Sequence, residues 1–191
     1  MRLAENLCPL VFSILRYLNL SFFKFEEMHL QKLKLLLAKN QMSMSQSLVK
    51  NYMHLIFSTK YREHLIYPPV EEELHAYMGG ICKRMECHPI KIGGYSDHVH
   101  ILCMLSKKIA LMKLLEEVKS HSSKWMKTKG DDLNNFYWQD GYGAFSVNPA
   151  DIDRVIAYIA NQKEHHSKIT FQDEYRAVLK RYRHEYDERY V

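Results

Sequence analysis

The chain reads as an α+β protein with a ferredoxin-like core, β-α-β-β-α-β. An antiparallel sheet carries helices on one face, and a tyrosine-bearing helix follows towards the C-terminus. Three observations predict this. Short runs rich in β-branched and aromatic residues alternate with two longer segments of helical period. Two of those runs, "PIKIGGY" and "HVHILCML", are separated only by Ser96-Asp97, which reads as an antiparallel hairpin. After the fourth apolar run, Asn148 as N-cap, Pro149 at the first helical position and Asp151 in the first turn mark a strong helix start.

Each element follows in order. "VKNYMHLIFSTK" (49–60) predicts the first strand. Pro68-Pro69 introduce "VEEELHAYMGGICKRM" (70–85), a helix weakened in its middle by Gly79-Gly80. The hairpin strands come next. "IALMKLLEEVKSHSSKWMKT" (109–128) predicts a helix with Ile109, Met112, Leu115 and Val118 at helical spacing, closed by Gly130. "FYWQDGYGAFSV" (136–147) reads as a strand or bent hairpin with glycines at the corner. "NPADIDRVIAYIANQKEHH" (148–166) and "FQDEYRAVLKRYRHEY" (171–186) predict two further helices. A sheet with helices on one face leaves its other face, or an edge, free for a partner.

Composition is that of an ordinary globular protein, 47% hydrophobic and 26% charged, with a mildly basic net charge of +5. A nucleic-acid partner is permitted, not required. Cys8, Cys82, Cys87 and Cys103 show no C-x-x-C spacing, which suits a reducing, cytoplasmic location; Cys82, Cys87 and His88 lack the second ligand pair of a zinc site. The chain changes character near residue 43: 11 of 22 leucines precede it, whereas all seven glycines and 12 of 13 tyrosines follow. Residues 1–43 are therefore an extension, and 44–191 a single domain. The extension lacks the cleavage site of a signal peptide, and Arg16 and Asn19 interrupt any membrane span. It reads either as a docking helix, "FFKFEEMHLQKLKLLLAKN", or as sequence upstream of a start at Met42 or Met44, and the second reading is the expectation.

The chemistry begins at "SDHVHIL". His98 and His100 lie two apart on a strand, so both imidazoles point to one face. A buried polar group without a partner costs roughly 1–3 kcal/mol, which a shared metal ion or an anionic substrate would offset. With 11 histidines in 191 residues, chance alone supplies about 0.6 such pairs, so the pair needs agreement from elsewhere. The helix at 148–166 provides it. Its core stripe is Ile152, Val155, Ile156 and Ile159, and Tyr158 and Gln162 fall together on the border of that stripe. Asp97 is either an imidazole-orienting carboxylate or a turn residue, with the turn expected. His165 and His166 extend the same flank and either supplement Gln162 or face solvent.

From about residue 48 to 191 the chain resembles the small HUH single-tyrosine transposases of the insertion-sequence-200/605 group. "GGYSDHVHIL", "ALMKLLEEVKSHSSKW", "FYWQDGYGAFSV" and "YIANQKEHH" carry the resemblance, in uninterrupted order. It implies that His98, His100 and Gln162 hold a divalent metal, Mg²⁺ or Mn²⁺. Tyr158 would be the nucleophile that attacks a single-stranded DNA phosphate, giving a 5′-phosphotyrosine and a free 3′-hydroxyl at hairpin-marked ends. It also implies a homodimer whose active sites are completed between subunits, with no organic cofactor and no membrane. By ligand type, two imidazoles suit Zn²⁺ or Cu²⁺ at least as well as Mg²⁺.

Lys60, Arg62, Lys119 and Lys124 are the basic residues expected near DNA, and Trp125, Trp138 and Tyr142 either stack on bases or pack in the core. Two other functions compete with a transposase. One is a domesticated relative that processes repeated hairpins; the other is a non-catalytic nucleic-acid-binding module using an open sheet face.

Overall fold

Four strands order themselves as β2-β3-β1-β4, every neighbouring pair antiparallel. The computed structural model describes residues 48–188, so the expectations for residues 1–43 lie outside the described residues. Strands β1 (Tyr52–Ser58), β2 (His88–Tyr95), β3 (His98–Met104) and β4 (Gly143–Ser146) are joined by helices α1 (Pro68–Arg84) and α2 (Leu111–Met126). Three helices follow: α3 (Ile152–Ala160), α4 (Gln162–His165) and α5 (Phe171–Arg181). The order is the split β-α-β arrangement predicted from the pattern.

Alternation along the central strands divides two chemistries between two faces. Leu55, Phe57, Val99, Ile101 and Cys103 point to one face, where they pack with Leu74, Met78 and Ile81 of α1 and Leu115 and Val118 of α2. On the opposite face the register aligns His54 with Leu102, Ile56 with His100 and Ser58 with His98. That second face is not open. Ile56 and Phe145 pack under Phe171 and Leu179 of α5, and Leu102 packs under Ile159 of α3. The continuous apolar run of β3 is the signature of a strand covered on both sides. An RNA-binding module reading through a bare sheet face therefore loses its surface.

Three element details differ from the sequence expectations. Met112 is 69% exposed, and the buried stripe of α2 runs through Leu114, Leu115, Val118, Ser122 and Met126. Of residues 136–147 only Gly143–Ser146 pair as a strand, with Trp138 bridged separately to Thr59. The helix expected over 148–166 is divided at Asn161 (φ −96, ψ 14) into α3 and α4. Cys82, Cys87 and Cys103 are buried free thiols, and burial pushes Cys82 up to about 12. No described helix is long and apolar enough to cross a membrane.

Candidate active site

The β2–β3 hairpin sets the site. Tyr95 pairs with His98 across the two-residue turn Ser96-Asp97. Asp97 thus lies in the turn rather than in strand alternation, and its Oδ1 lies 2.7 Å from His98 Nδ1. Its backbone oxygen also accepts from Thr59 N–H at 2.7 Å, so Asp97 fills both roles the sequence left open. Burial opposes ionisation of Asp97, but the hydrogen bond from His98 and the neighbouring imidazoles outweigh it and hold the carboxyl below its ordinary value. With Nδ1–H donating to Asp97, His98 Nε2 carries a lone pair and faces Gln162 Oε1 at 3.1 Å. Two acceptors face to face call for a proton or a cation between them.

His100 is arranged in the same sense. Its Nδ1 lies 2.9 Å from Nε2 of His54, a β1 residue on the same sheet face, and the rings stack with centroids 5.1 Å apart. Its Nε2 is buried and has no hydrogen-bond partner. Burial pushes His100 down to about 4 and His54 down to about 3, so both imidazoles are neutral at pH 7. His54 was not singled out from the sequence.

Helix α3 reaches this face because β2 carries a glycine beneath it. A Cβ on Gly93, the residue paired with His100, would lie 2.8 Å from both Cγ2 and the backbone oxygen of Ile159. Tyr158, next to Ile159, points its hydroxyl at Glu174 of α5 and donates a hydrogen bond to Oε1. Gln162 Nε2 donates to the same oxygen at 2.9 Å. Burial, together with the charge of Glu174, pushes the Tyr158 phenol above its ordinary value, so it is protonated at neutral pH.

Glu174 is the second residue that sequence reasoning missed, and the cluster converges on it. Its Oε2 lies 3.6 Å from His100 Nε2, 3.8 Å from His98 Nε2 and 3.2 Å from His166 Nε2. Burial alone would raise this carboxyl, but His100, His166 and Tyr158 together outweigh it, and Glu174 is held well below the usual carboxylate range. A signal was present: Phe171, Glu174, Tyr175 and Val178 form one helical stripe, and a carboxylate on an apolar stripe needs partners. His166 joins the cluster rather than facing solvent; its Nδ1 meets Ile169 O at 2.9 Å and its Nε2 meets Gln162 Oε1 at 2.9 Å.

The donor set fits a divalent cation. Ligand atoms of His98, His100 and Glu174 lie within 4.8 Å of one another and all three residues are buried. The Nε2 of His100, without a hydrogen-bond partner, is aimed into the cluster and offers a lone pair when its Nδ1–H donates to His54. Two imidazoles with a carboxylate and an amide oxygen suit Mn²⁺ or Zn²⁺ as readily as Mg²⁺.

Two clefts flank the cluster. One, of about 990 Å³, opens onto Tyr158 between α3 and α5 and is rimmed by Arg154, Lys168 and Arg181. The other, of about 490 Å³, runs past Asp97 and His166 and includes Arg62 and His64. Of the basic residues expected near DNA, Arg62 therefore borders the site. Lys60 lies beyond it at the end of β1 and Lys124 is exposed on α2. Lys119 is tied down, donating to Gln139 O and Gly141 O at 2.7 Å each. Both tryptophans pack: Trp138 is buried and donates to Ser122 Oγ, and Trp125 stacks on Tyr77.

The family model described as "Transposase IS200 like" matches residues 47–162, more than half of the chain. Comparison with curated proteins gives no match. Among solved structures, a candidate transposase from Deinococcus radiodurans R1 is similar at 21% identity and TM-score 0.50, over 63% of this chain and 96% of that one. A REP-associated tyrosine transposase bound to a REP hairpin is similar at 13% identity and TM-score 0.50, over 66% and 75%. At these identities the likeness is one of fold. The hairpin histidines, the sheet and the Tyr158 helix all fall inside the matched span, and the chain belongs to the IS200-like transposase family.

Proposed function

We propose that this chain cleaves and rejoins single-stranded DNA at hairpin-marked ends through a covalent 5′-phosphotyrosine on Tyr158. The observation that carries the reading is the convergence of a phenol, a carboxamide and two strand imidazoles on one buried carboxylate, beside a cleft lined by Arg154, Lys168 and Arg181 together with Asp151 and Asp173. In the step proposed, the Tyr158 oxygen attacks a backbone phosphorus and the phosphorus–O3′ bond breaks. The leaving oxygen takes up a proton and becomes a free 3′-hydroxyl. The phenol gives up one proton to water in the open cleft and the leaving oxygen takes one up from it, so the step is proton-neutral, while Glu174 orients the phenol through the hydrogen bond it accepts. Attack by an incoming 3′-hydroxyl reverses the step, so bond energy is kept and no nucleotide cofactor is consumed.

His98, His100 and Gln162, joined by Glu174, would hold Mg²⁺ or Mn²⁺, which when bound supplies positive charge to the phosphate and to the charge that develops on it. Asp97 and His54 fix which imidazole nitrogen faces the cluster, the role of hydrogen-bonded partners behind a ligand. Arg154 and Arg181 on the cleft rim suit the phosphates of an extended strand. The hairpin held by the REP-associated relative supports a hairpin-bearing substrate here, for an element of its own or for repeated chromosomal hairpins.

The test is a denaturing gel of labelled single-stranded DNA carrying candidate element ends, with Mn²⁺, with Mg²⁺ and with EDTA. A metal-dependent, protein-linked species that vanishes in Tyr158→Phe supports the reading; binding with no linked species under any ion overturns it. The helix exchange implied by the resemblance is tested separately. In the described chain α3 rests on its own β2 and β3. Mixing Tyr158→Phe with His98→Ala protein restores the adduct only if a dimer shares its sites.

A further inference from the structure

The end of β1 holds a second cluster, which chemistry at Tyr158 does not use. Glu63 N–H donates to Lys60 O at 3.3 Å and closes a tight turn. Its two central residues, Tyr61 (φ 58, ψ 14) and Arg62 (φ 59), both lie in the left-handed region. Such mirror-image turns ordinarily take Asn and Gly, because a Cβ is penalised there. Two large side chains in succession are an outlier of the kind found where a side chain must be held in a set direction. The turn is clamped: Thr59 Oγ1 donates to Glu63 O at 2.7 Å, Tyr61 N–H to Gln139 Oε1 at 3.2 Å, and Lys60 N–H to Tyr137 O at 2.8 Å.

The result is a pair of outward-facing rings among cations. Tyr61 is 73% exposed and Tyr137 is 51% exposed. Lys60 Nζ lies 5.3 Å from the Tyr61 centroid and 5.7 Å from that of Tyr137, and Lys127 Nζ lies 3.5 Å from the Tyr137 centroid. Exposed π faces interleaved with ammonium groups complement a polymer that offers flat bases and phosphates in alternation. A paired duplex keeps its base faces stacked internally, so the match is to an unpaired strand. The position agrees: Thr59, at the base of the turn, donates to the backbone oxygen of Asp97, which orients His98. Arg62, inside the turn, lines the cleft that runs past Asp97 and His166.

We infer that Tyr61 and Tyr137, with Lys60 and Lys127, form a stacking platform that holds unpaired bases of the DNA flanking the cleavage point. The identity of that strand as substrate rests on the proposed function; the platform itself is testable without it. The probe is fluorescently labelled oligothymidylate, which forms no hairpin, titrated into the full chain and followed by anisotropy. Each of Tyr61→Ala and Tyr137→Ala is expected to weaken binding about 5- to 150-fold, the range of losses for removing one stacking ring. Replacing both rings by phenylalanine preserves the stacking faces and is expected to leave binding within about twofold. Tyr61→Gly relieves the backbone penalty, so it is expected to raise the melting temperature while lowering affinity, a combination that damaged folding would not produce.

Unchanged binding in the Tyr61→Ala, Tyr137→Ala double variant overturns the platform, and so does equal loss in the phenylalanine variant. The first of these outcomes would leave the rings as a contact for a protein. The Tyr158 adduct is read in the same proteins at saturating DNA. Loss of binding with the adduct retained supports the platform, and an adduct absent even from the wild type, with binding still dependent on the rings, fails the cleavage reading alone.

Discussion

Gly93→Ala probes the contact that seats the tyrosine helix. The added Cβ would meet Ile159 Cγ2 and Ile159 O at 2.8 Å, where ordinary contact begins at 3.4 Å. The carbonyl belongs to α3 backbone and cannot rotate away, so the helix must retreat from β2 by about 0.6 Å. Overpacking of this kind costs about 1–3 kcal/mol. The shift also carries Tyr158 away from His98 and His100, and a misplacement approaching 1 Å costs on the order of 10²-fold in rate. Urea unfolding should show a midpoint lowered by about 1 M with an unchanged slope, taking a slope of about 1–3 kcal/mol per M. Adduct formation at saturating DNA should slow in parallel. Gly80→Ala is the internal control: its Cβ meets nothing within 4 Å, and alanine in a helix interior is expected to stabilise by about 0.5–1 kcal/mol. A Gly93→Ala protein with wild-type midpoint and wild-type adduct rate would refute the account of how α3 is placed.

Asp97→Asn removes the carboxylate behind His98 and should weaken Mn²⁺ binding about 10- to 100-fold by calorimetry; equal affinity would remove its orienting role. His54 has a folded value of about 3 against an ordinary 6.5, so its contribution to stability is complete above pH 6.5 and is lost as the pH falls towards 3. Between pH 7 and pH 5 that loss is about 2 kcal/mol, and urea midpoints of wild type against His54→Phe should show the slope in the first protein and a shallower one in the second. Ser122→Ala leaves the buried Trp138 Nε1–H without its acceptor and should cost about 1–3 kcal/mol; a change under about 0.5 kcal/mol would contradict it.

Much of this was readable because periodicity reports local geometry. The two-residue gap at Ser96-Asp97 defined the hairpin, and the alternation through His98, Val99 and His100 put both imidazoles on one face. What failed to show was registration between distant segments. His54 sits in an ordinary apolar strand, and only the pairing of Ile56 with His100 brings it onto the site face beside the two imidazoles. Glu174 lies 76 residues beyond His98 on a helix whose docking no local pattern encodes, although its place on an apolar stripe was a visible anomaly. The break at Asn161 was equally hidden, since Tyr158 and Gln162 keep the four-residue spacing of an unbroken helix. The free sheet face expected from the β-α-β-β-α-β core is covered because the helices after β4 fold back across it.

The central claim is that Tyr158 is the atom-level point of attachment to DNA. The most direct measurement is peptide mapping of the protein after reaction with single-stranded DNA and Mn²⁺, followed by nuclease trimming and mass spectrometry. The account predicts a nucleotide joined through its 5′-phosphate to the peptide that contains Tyr158, and to no other. A stable adduct on any other residue would contradict it.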